Sequence, residues 1–195
     1  MDYKGDIYYI EQILNGNQTA FGYLVNRHKD RAYNLAFRIC GNREEAEEIA
    51  QDAFIKAYNS LNSFKRQSSF ATWLYRIVFN TAVSVIRSRK KEILSLEDFP
   101  AEFSDFIETN ITEDEAEKEY KRFILNFALR KLEEEDRGLI TLYYFEELDA
   151  DEIAEITGIS KANIKVRLFR ARQKMLAVIE KAEINKSTYH ETQER

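Results

Sequence analysis

The chain has 195 residues, with 44% hydrophobic and 32% charged residues and a net charge of −5. That balance describes a folded globular protein and excludes a disordered one. No apolar run approaches the roughly 18–20 residues needed to span a bilayer, and "MDYKGDIYYIEQ" lacks the basic start and apolar stretch of a secretory signal. Cys40 is the only cysteine, so no disulfide framework is expected and a cytoplasmic setting fits. Six glycines and one proline, Pro100, supply too little turn material for an all-β or doubly wound fold. The expected fold class is all-α.

In chain order, "YYIEQILNG" before Gly16 reads as a short leading helix. Phe21, Leu24, Val25, His28, Ala32, Leu35, Ala36 and Ile39 then recur at three- and four-residue steps, as do Ala46, Ile49, Ala50, Ala53, Phe54, Ala57 and Tyr58. Asn42 with Glu45 three residues later reads as a variant capping box at the start of the second of these helices. A third helix is expected from about Phe70 to Arg87, with Phe70, Leu74, Ile77, Thr81 and Val85 as its buried stripe. Residues 1–91 would form one helical domain. The stretch 92–118 holds the proline, many acids and no sustained period, and reads as a linker. A second domain is expected over 119–182, followed by a polar tail, 183–195. "LITLYYF" (139–145) is ambiguous by composition. It reads as helix because a lone strand would have no partner.

Charge is unevenly placed. Between Phe64 and Lys91 the basic residues Lys65, Arg66, Arg76, Arg87, Arg89, Lys90 and Lys91 meet no acid, and between Lys161 and Lys174 six basic residues meet none. The intervening stretch from Glu92 to Glu119 is strongly acidic. A negative total therefore leaves nucleic-acid binding open, because binding depends on where the positive charge sits.

Asp149 with Glu152 marks a helix start, Gly158 a left-handed end, and Ser160 the cap of the next helix. Two short helices joined by a glycine turn make a helix-turn-helix. At 100° per residue, Ile164, Leu168, Ala171 and Met175 share one face, the core side. Ala162, Asn163, Val166, Phe169, Arg170 and Gln173 share the other, with Lys165 and Arg172 on one edge and Arg167 and Lys174 on the opposite edge. An outward centre for base edges and basic flanks for phosphates is the layout of a major-groove helix. The acidic first helix would face away from DNA. An ordinary amphipathic pair is the alternative.

In the third helix, Trp73, Arg76, Asn80, Ser84 and Arg87 make a stripe suited to single-stranded or opened DNA, where bases stack on rings and phosphates meet guanidinium groups. The preceding loop adds Phe64, Lys65 and Arg66 as a pocket for a flipped base. Core packing of Trp73 and Phe64 with solvated charges reads equally well from composition.

"EEAEEIAQDAFIKAYNSLNSF" followed by "FATWLYRIVFNTAVSVIRSRKK" resembles the second conserved region of a bacterial sigma factor of the extracytoplasmic-function group. "LDADEIAEITGISKANIKVRLFRARQKML" resembles the fourth region. The resemblance covers about residues 8–91 and 119–180, in order, with an acidic linker between and no room for the extra domain of other sigma classes. It implies a region-two bundle joined to a region-four helix-turn-helix domain, and a dissociable RNA polymerase subunit that selects and opens promoters. It implies further that Glu45, Glu48, Gln51 and Asp52 dock on the polymerase clamp. Phe64, Lys65, Arg66, Trp73, Arg76, Asn80 and Arg87 would capture the minus-ten strand. Lys161, Asn163, Lys165, Val166, Arg167, Phe169, Arg170 and Arg172 would read the minus-thirty-five element. Core polymerase (clamp and flap), promoter DNA and an anti-sigma factor are the implied partners, and the chain is expected to be a monomer when free. Ala162-Asn163 stand where the family commonly has Gly-Thr, and Val166 where a small polar residue is frequent, which puts the outer bases read in question.

No phosphate-binding loop is present, and Cys40, His28 and His190 form no ligand or triad spacing. No catalysis, metal or cofactor is expected. His28 sits on an apolar stripe and reads as a packed histidine. A duplex-operator regulator with a sensor domain is a second reading, and a protein-only adaptor a third.

Overall fold

The computed structural model describes the backbone of residues 5–90 and 113–193, and the side chains of 5–89 and 117–182. Eight α-helices account for it, in the order α1 (Asp6–Leu14), α2 (Phe21–Cys40), α3 (Arg43–Asn59), α4 (Phe70–Lys90), α5 (Glu113–Arg130), α6 (Glu134–Tyr144), α7 (Ala150–Thr157) and α8 (Lys161–Gln193), with no strand among the described residues. The all-α expectation holds, and "LITLYYF" lies largely in helix α6. Most of the acidic linker lies outside the described residues. Helix α8 continues through the segment expected as a polar tail.

The first three long helices pack on one another, and α1 lies on α2. Helix α2 buries Leu24, His28, Ala32, Leu35, Ala36 and Ile39, one stripe at helical spacing. It ends at Gly41, whose φ of +78° lets its N–H reach the Phe37 carbonyl at 2.7 Å. Helix α3 presents Ala46, Ala50, Ala53 and Ala57 inward, and such small side chains allow a close approach of helices. Its cap is half of the expected box. Asn42 Oδ1 accepts from the Glu45 N–H at 3.0 Å, but the Glu45 carboxylate turns away to accept from Arg89 Nη1 at 2.7 Å. His28 is packed as expected, 6% exposed, with Nε2 3.0 Å from Asp6 Oδ2.

Helix α4 differs from its expected stripe. Phe70, Leu74 and Thr81 are buried, but Ile77 is half-buried and Val85 is exposed. Tyr75, Val78, Phe79, Ala82, Val83 and Ile86 are buried in addition. The physical reason is that α4 has neighbours on two sides: α2 and α3 on one, α6 and α7 on the other. Its apolar arc is therefore wider than a helix at the edge of a bundle requires.

In the second half, α6, α7 and α8 pack on one another and α5 lies along α8. Ile164, Leu168, Ala171 and Met175 are all buried, as the 100° spacing predicts. Asp149 caps α7 by accepting from the N–H groups of Asp151 and Glu152, and Glu152 Oε2 accepts from the Asp149 N–H at 3.0 Å, a complete capping box. Gly158, at φ +73°, ends the helix.

The two halves meet. Helix α6 packs on α2, α7 packs on α4, and the buried apolar side chains form one continuous cluster. At Gly138 of α6 a Cβ would lie 2.4 Å from Phe79 Cε2 and 3.4 Å from Ile39 Cδ1. A glycine inside a helix costs about 1 kcal/mol against alanine. Here its missing side chain is the space that Phe79 occupies.

Two predictions follow from this packing. Ile164→Ala removes a fully buried side chain and should lower stability by about 2–5 kcal/mol in urea unfolding. The Asp149 carboxylate is held below its ordinary range by backbone N–H bonds from Glu152 and Asp151. A carboxyl group whose acidity is raised by folding stabilises above its unfolded value, about 3.9, and that contribution is lost as pH falls through the lower folded value. Asp149→Asn keeps a capping oxygen and should leave neutral-pH stability little changed while flattening the acid limb of a pH-stability curve.

Candidate nucleic-acid interface

The helix-turn-helix is α7, the Gly158 turn and the first part of α8. Ser160 Oγ accepts from the Asn163 N–H at 3.4 Å, a loose cap. Asn163, Val166, Phe169, Arg170 and Gln173 are exposed, as are Ala162, Lys165 and Lys174. The outward face of α8 therefore has the composition expected of it.

Several of its basic residues are engaged within the chain. Lys161 Nζ lies 2.6 Å from Asp151 Oδ2. Arg167 is half-buried, with Nη1 donating to Glu135 Oε2 at 2.6 Å and Nε to Asp136 Oδ1 at 2.7 Å. It was expected as a phosphate-facing flank, and instead it turns toward the acidic first turn of α6, which packs on α8. Arg172 Nη1 donates to the Tyr144 hydroxyl at 3.0 Å. Phe169 and Arg172 border an apolar cleft of about 630 Å³ shared with Leu125, Tyr144, Phe145 and Leu176. Arg170 and Lys165 are left on the open side.

On the other domain, Lys65, Arg76, Asn80, Ser84 and Arg87 are exposed and Trp73 is half-buried. Phe64 is 8% exposed, its ring 5.3 Å from that of Trp73 and 6.1 Å from that of Phe70. Phe64 thus packs under Trp73, with little of its ring open to a base. Arg66 sits in a left-handed conformation at φ +57° and donates from Nη1 to Glu11 Oε1 at 2.9 Å, which ties the loop to α1. Asn80, Ser84 and Arg87 line a cleft whose other wall carries Glu135 and Thr157. Arg87 bonds to the Glu135 carboxylate through Nη2, with Nε 3.8 Å from Glu134 Oε1.

Of the expected clamp residues, Glu48 and Gln51 are exposed on α3. Asp52 pairs with Lys56 one turn on, at 2.7 Å. Glu45 is half-buried against Arg89, and its Oε2 is buried without a hydrogen bond.

The sequence reading passed over two groups that shape this surface. The first is the acidic start of α6, Glu134, Glu135 and Asp136. Glu134 is buried, and the other two bind arginines from both clusters. The second is Tyr75, buried in α4, whose hydroxyl donates to Glu146 Oε2 at 2.5 Å. Burial, with the Glu146 carboxylate beside it, pushes the Tyr75 hydroxyl well above the ordinary tyrosine range. Nearby, Arg38 lies over the Phe145 ring, 3.5 Å from its centroid. The signal available was the spacing of Tyr75, Phe79, Val83 and Ile86, a second apolar stripe on α4. Among the described residues no group of three or more His, Cys, Asp or Glu side chains is arranged to hold a metal.

The profile of Sigma-70 region 2 matches residues 24–92, and that of Sigma-70 region 4 matches residues 122–175. The chain is 36% identical to the ECF RNA polymerase sigma factor SigW of Bacillus subtilis over 172 residues, covering 84% of this chain and 91% of that one. It is 31% identical to the RNA polymerase sigma-H factor of Pseudomonas aeruginosa, covering 84% and 88% of the two chains. Among solved structures, that of CnrH in complex with the cytosolic domain of CnrY aligns with a TM-score of 0.65 at 26% identity, over 91% of this chain and 98% of CnrH.

Proposed function

The chain belongs to the extracytoplasmic-function sigma factors, and from that premise we propose how its two halves divide promoter recognition. The protein binds core RNA polymerase and directs promoter-specific initiation. Its helices up to α4 take the clamp and the minus-ten strand, and those from α5 onward take the flap and the minus-thirty-five element. The observation that carries this reading is the pairing of two unlike nucleic-acid surfaces in one chain. The outward face of α8 suits a duplex groove. The Trp73, Arg76, Asn80 and Arg87 stripe of α4 suits an opened strand, which an operator-binding regulator has no use for.

Within α8, Asn163, Val166, Phe169 and Arg170 face the bases, with thymine methyls as the natural targets of Val166 and Phe169. Lys165, on the open side, supplies a phosphate contact, and Lys161, Arg167 and Arg172 do so on exchanging Asp151, the α6 carboxylates and the Tyr144 hydroxyl for phosphate. On α4 and its loop, Lys65, Arg66, Arg76 and Arg87 meet the strand backbone, Asn80 a base edge, and Trp73, seated on Phe64, a base face. Glu48 and Gln51, with Asp52 and Glu45 beside them, face the clamp.

An anti-sigma partner is part of the proposal: the family resemblance implies one, and CnrH forms a complex with the cytosolic domain of CnrY. The protein works in the cytoplasm and carries no chemical step of its own. No helix among the described residues is long and apolar enough to cross a membrane.

Purified chain added to core polymerase should give transcripts from defined starts on promoter templates. Tight duplex binding with no polymerase-dependent initiation would overturn the reading. Arg170→Ala should weaken recognition at particular minus-thirty-five positions by about 1–3 kcal/mol; a loss equal across all sequences contradicts base reading by that residue. Arg76→Ala, at an exposed site, should reduce permanganate reactivity of the opened strand more than it reduces duplex binding. Unchanged reactivity removes Arg76 from strand capture.

A further inference from the structure

The loop between Phe64 and Phe70 carries Lys65 and Arg66 to the strand-capture surface, and few bonds hold it there. At its start the Phe64 N–H donates to the Leu61 carbonyl at 3.1 Å, and at its end Ser69 Oγ accepts from the Thr72 N–H at 3.0 Å. Among the described residues, the one hydrogen bond made by residues 65–68 runs from Arg66 Nη1 to Glu11 Oε1, at 2.9 Å. Arg66 is also one of two non-glycine residues there with a left-handed backbone, at φ +57°. A side chain in that region carries a backbone cost, and the conformation persists where the surroundings impose it. Here they are the bond to Glu11 and the packing of Phe64 against Phe70 and Trp73.

Glu11 is a fixed point because α1 is pinned to α2. Ile10 is buried in the core. Asp6 Oδ1 accepts from Arg27 Nη1 at 2.5 Å, Asp6 Oδ2 lies 3.0 Å from His28 Nε2, and the Tyr9 ring stacks on that of Tyr23 at 4.7 Å. The His28 ring in turn lies 5.3 Å from that of Phe70, the first residue of α4. Helix α1 falls outside the residues that the region 2 profile matches, 24–92, yet it reaches the loop that meets the strand.

An ion pair half open to solvent adds little to stability. What it fixes is direction. The Glu11 carboxylate engages one of the five N–H donors of the guanidinium and leaves the remainder for a phosphate. A loop ordered before it binds also spares the conformational entropy that binding would otherwise cost.

We propose that Glu11 is a positioning residue for strand capture: it holds Arg66, and with it the 64–69 loop, in the conformation that meets the opened strand. This rests on the reading of that loop as part of the strand-capture surface. Helix α1 is then a brace for promoter opening and takes no direct part in contacting DNA.

The test uses holoenzyme assembled from the full chain and core polymerase, on a template that supports initiation, with permanganate reactivity of the opened strand as the readout. Glu11→Gln keeps the side chain's size and removes its charge. Reactivity should fall about two- to fivefold, while assembly with core, duplex binding and the melting temperature of the chain stay unchanged. Glu11→Asp, which keeps the carboxylate, should recover part of the loss. Arg66→Gln should lose at least as much, and adding Glu11→Gln to it should cost nothing further. Unchanged or higher reactivity with Glu11→Gln overturns the proposal, because the carboxylate would then be idle or a competitor of the strand. An equal loss from Glu11→Gln with and without Arg66→Gln also overturns it, since Glu11 would act elsewhere. If Arg66→Gln and Glu11→Gln both leave reactivity intact while Arg76→Ala lowers it, the loop's role in capture fails, the proposal fails with it, and the sigma reading stands. If the unaltered chain gives no polymerase-dependent opening, the sigma reading itself fails.

Discussion

Much of this molecule depends on a side chain that is absent. Helix α6 approaches α2 and α4 closely enough that a Cβ at residue 138 would lie 2.4 Å from Phe79 Cε2. With the packing of α6 on α2 and of α7 on α4, that contact belongs to one apolar cluster that runs through both halves. It brings the acidic first turn of α6 to the two basic surfaces and sets Glu146 opposite Tyr75. A helix that gives up roughly 1 kcal/mol of intrinsic propensity for a glycine does so for close packing, and here the packing is between domains rather than within one.

The electrostatics follow from that placement. A chain of net charge −5 with two clusters of unopposed base in its sequence neutralises part of both internally, Arg87 and Arg167 through one carboxylate and Lys161 through Asp151. Arg170, Lys165 and Arg76 remain exposed.

Local structure was legible in the residues. Ile164, Leu168, Ala171 and Met175 could be assigned to the core from spacing alone, because 3.6 residues per turn leaves one solution for that pattern. Asp149, Glu152 and Gly158 announce the ends of α7 through chemistry within four residues of each other. Helix α4 was only half legible. The stripe containing Val85 assumed one neighbouring surface, whereas Tyr75, Phe79, Val83 and Ile86 serve a second one, and periodicity within a helix does not tell how many partners it has. The pairing of Glu135 with Arg87 and Arg167 spans 48 and 32 residues, beyond any local rule. Glu45 shows the same limit at close range: the spacing to Asn42 suggested a reciprocal cap, and a long-range partner, Arg89, took the carboxylate instead.

The interface between the halves is open to a direct measurement. A double-mutant cycle of Tyr75→Phe and Glu146→Gln, followed by urea unfolding of the full chain, isolates one bond that crosses it. The account predicts a coupling free energy of about 1–2 kcal/mol and a single unfolding transition for both halves. Additive effects with no coupling, in a chain whose two halves unfold separately, would contradict it.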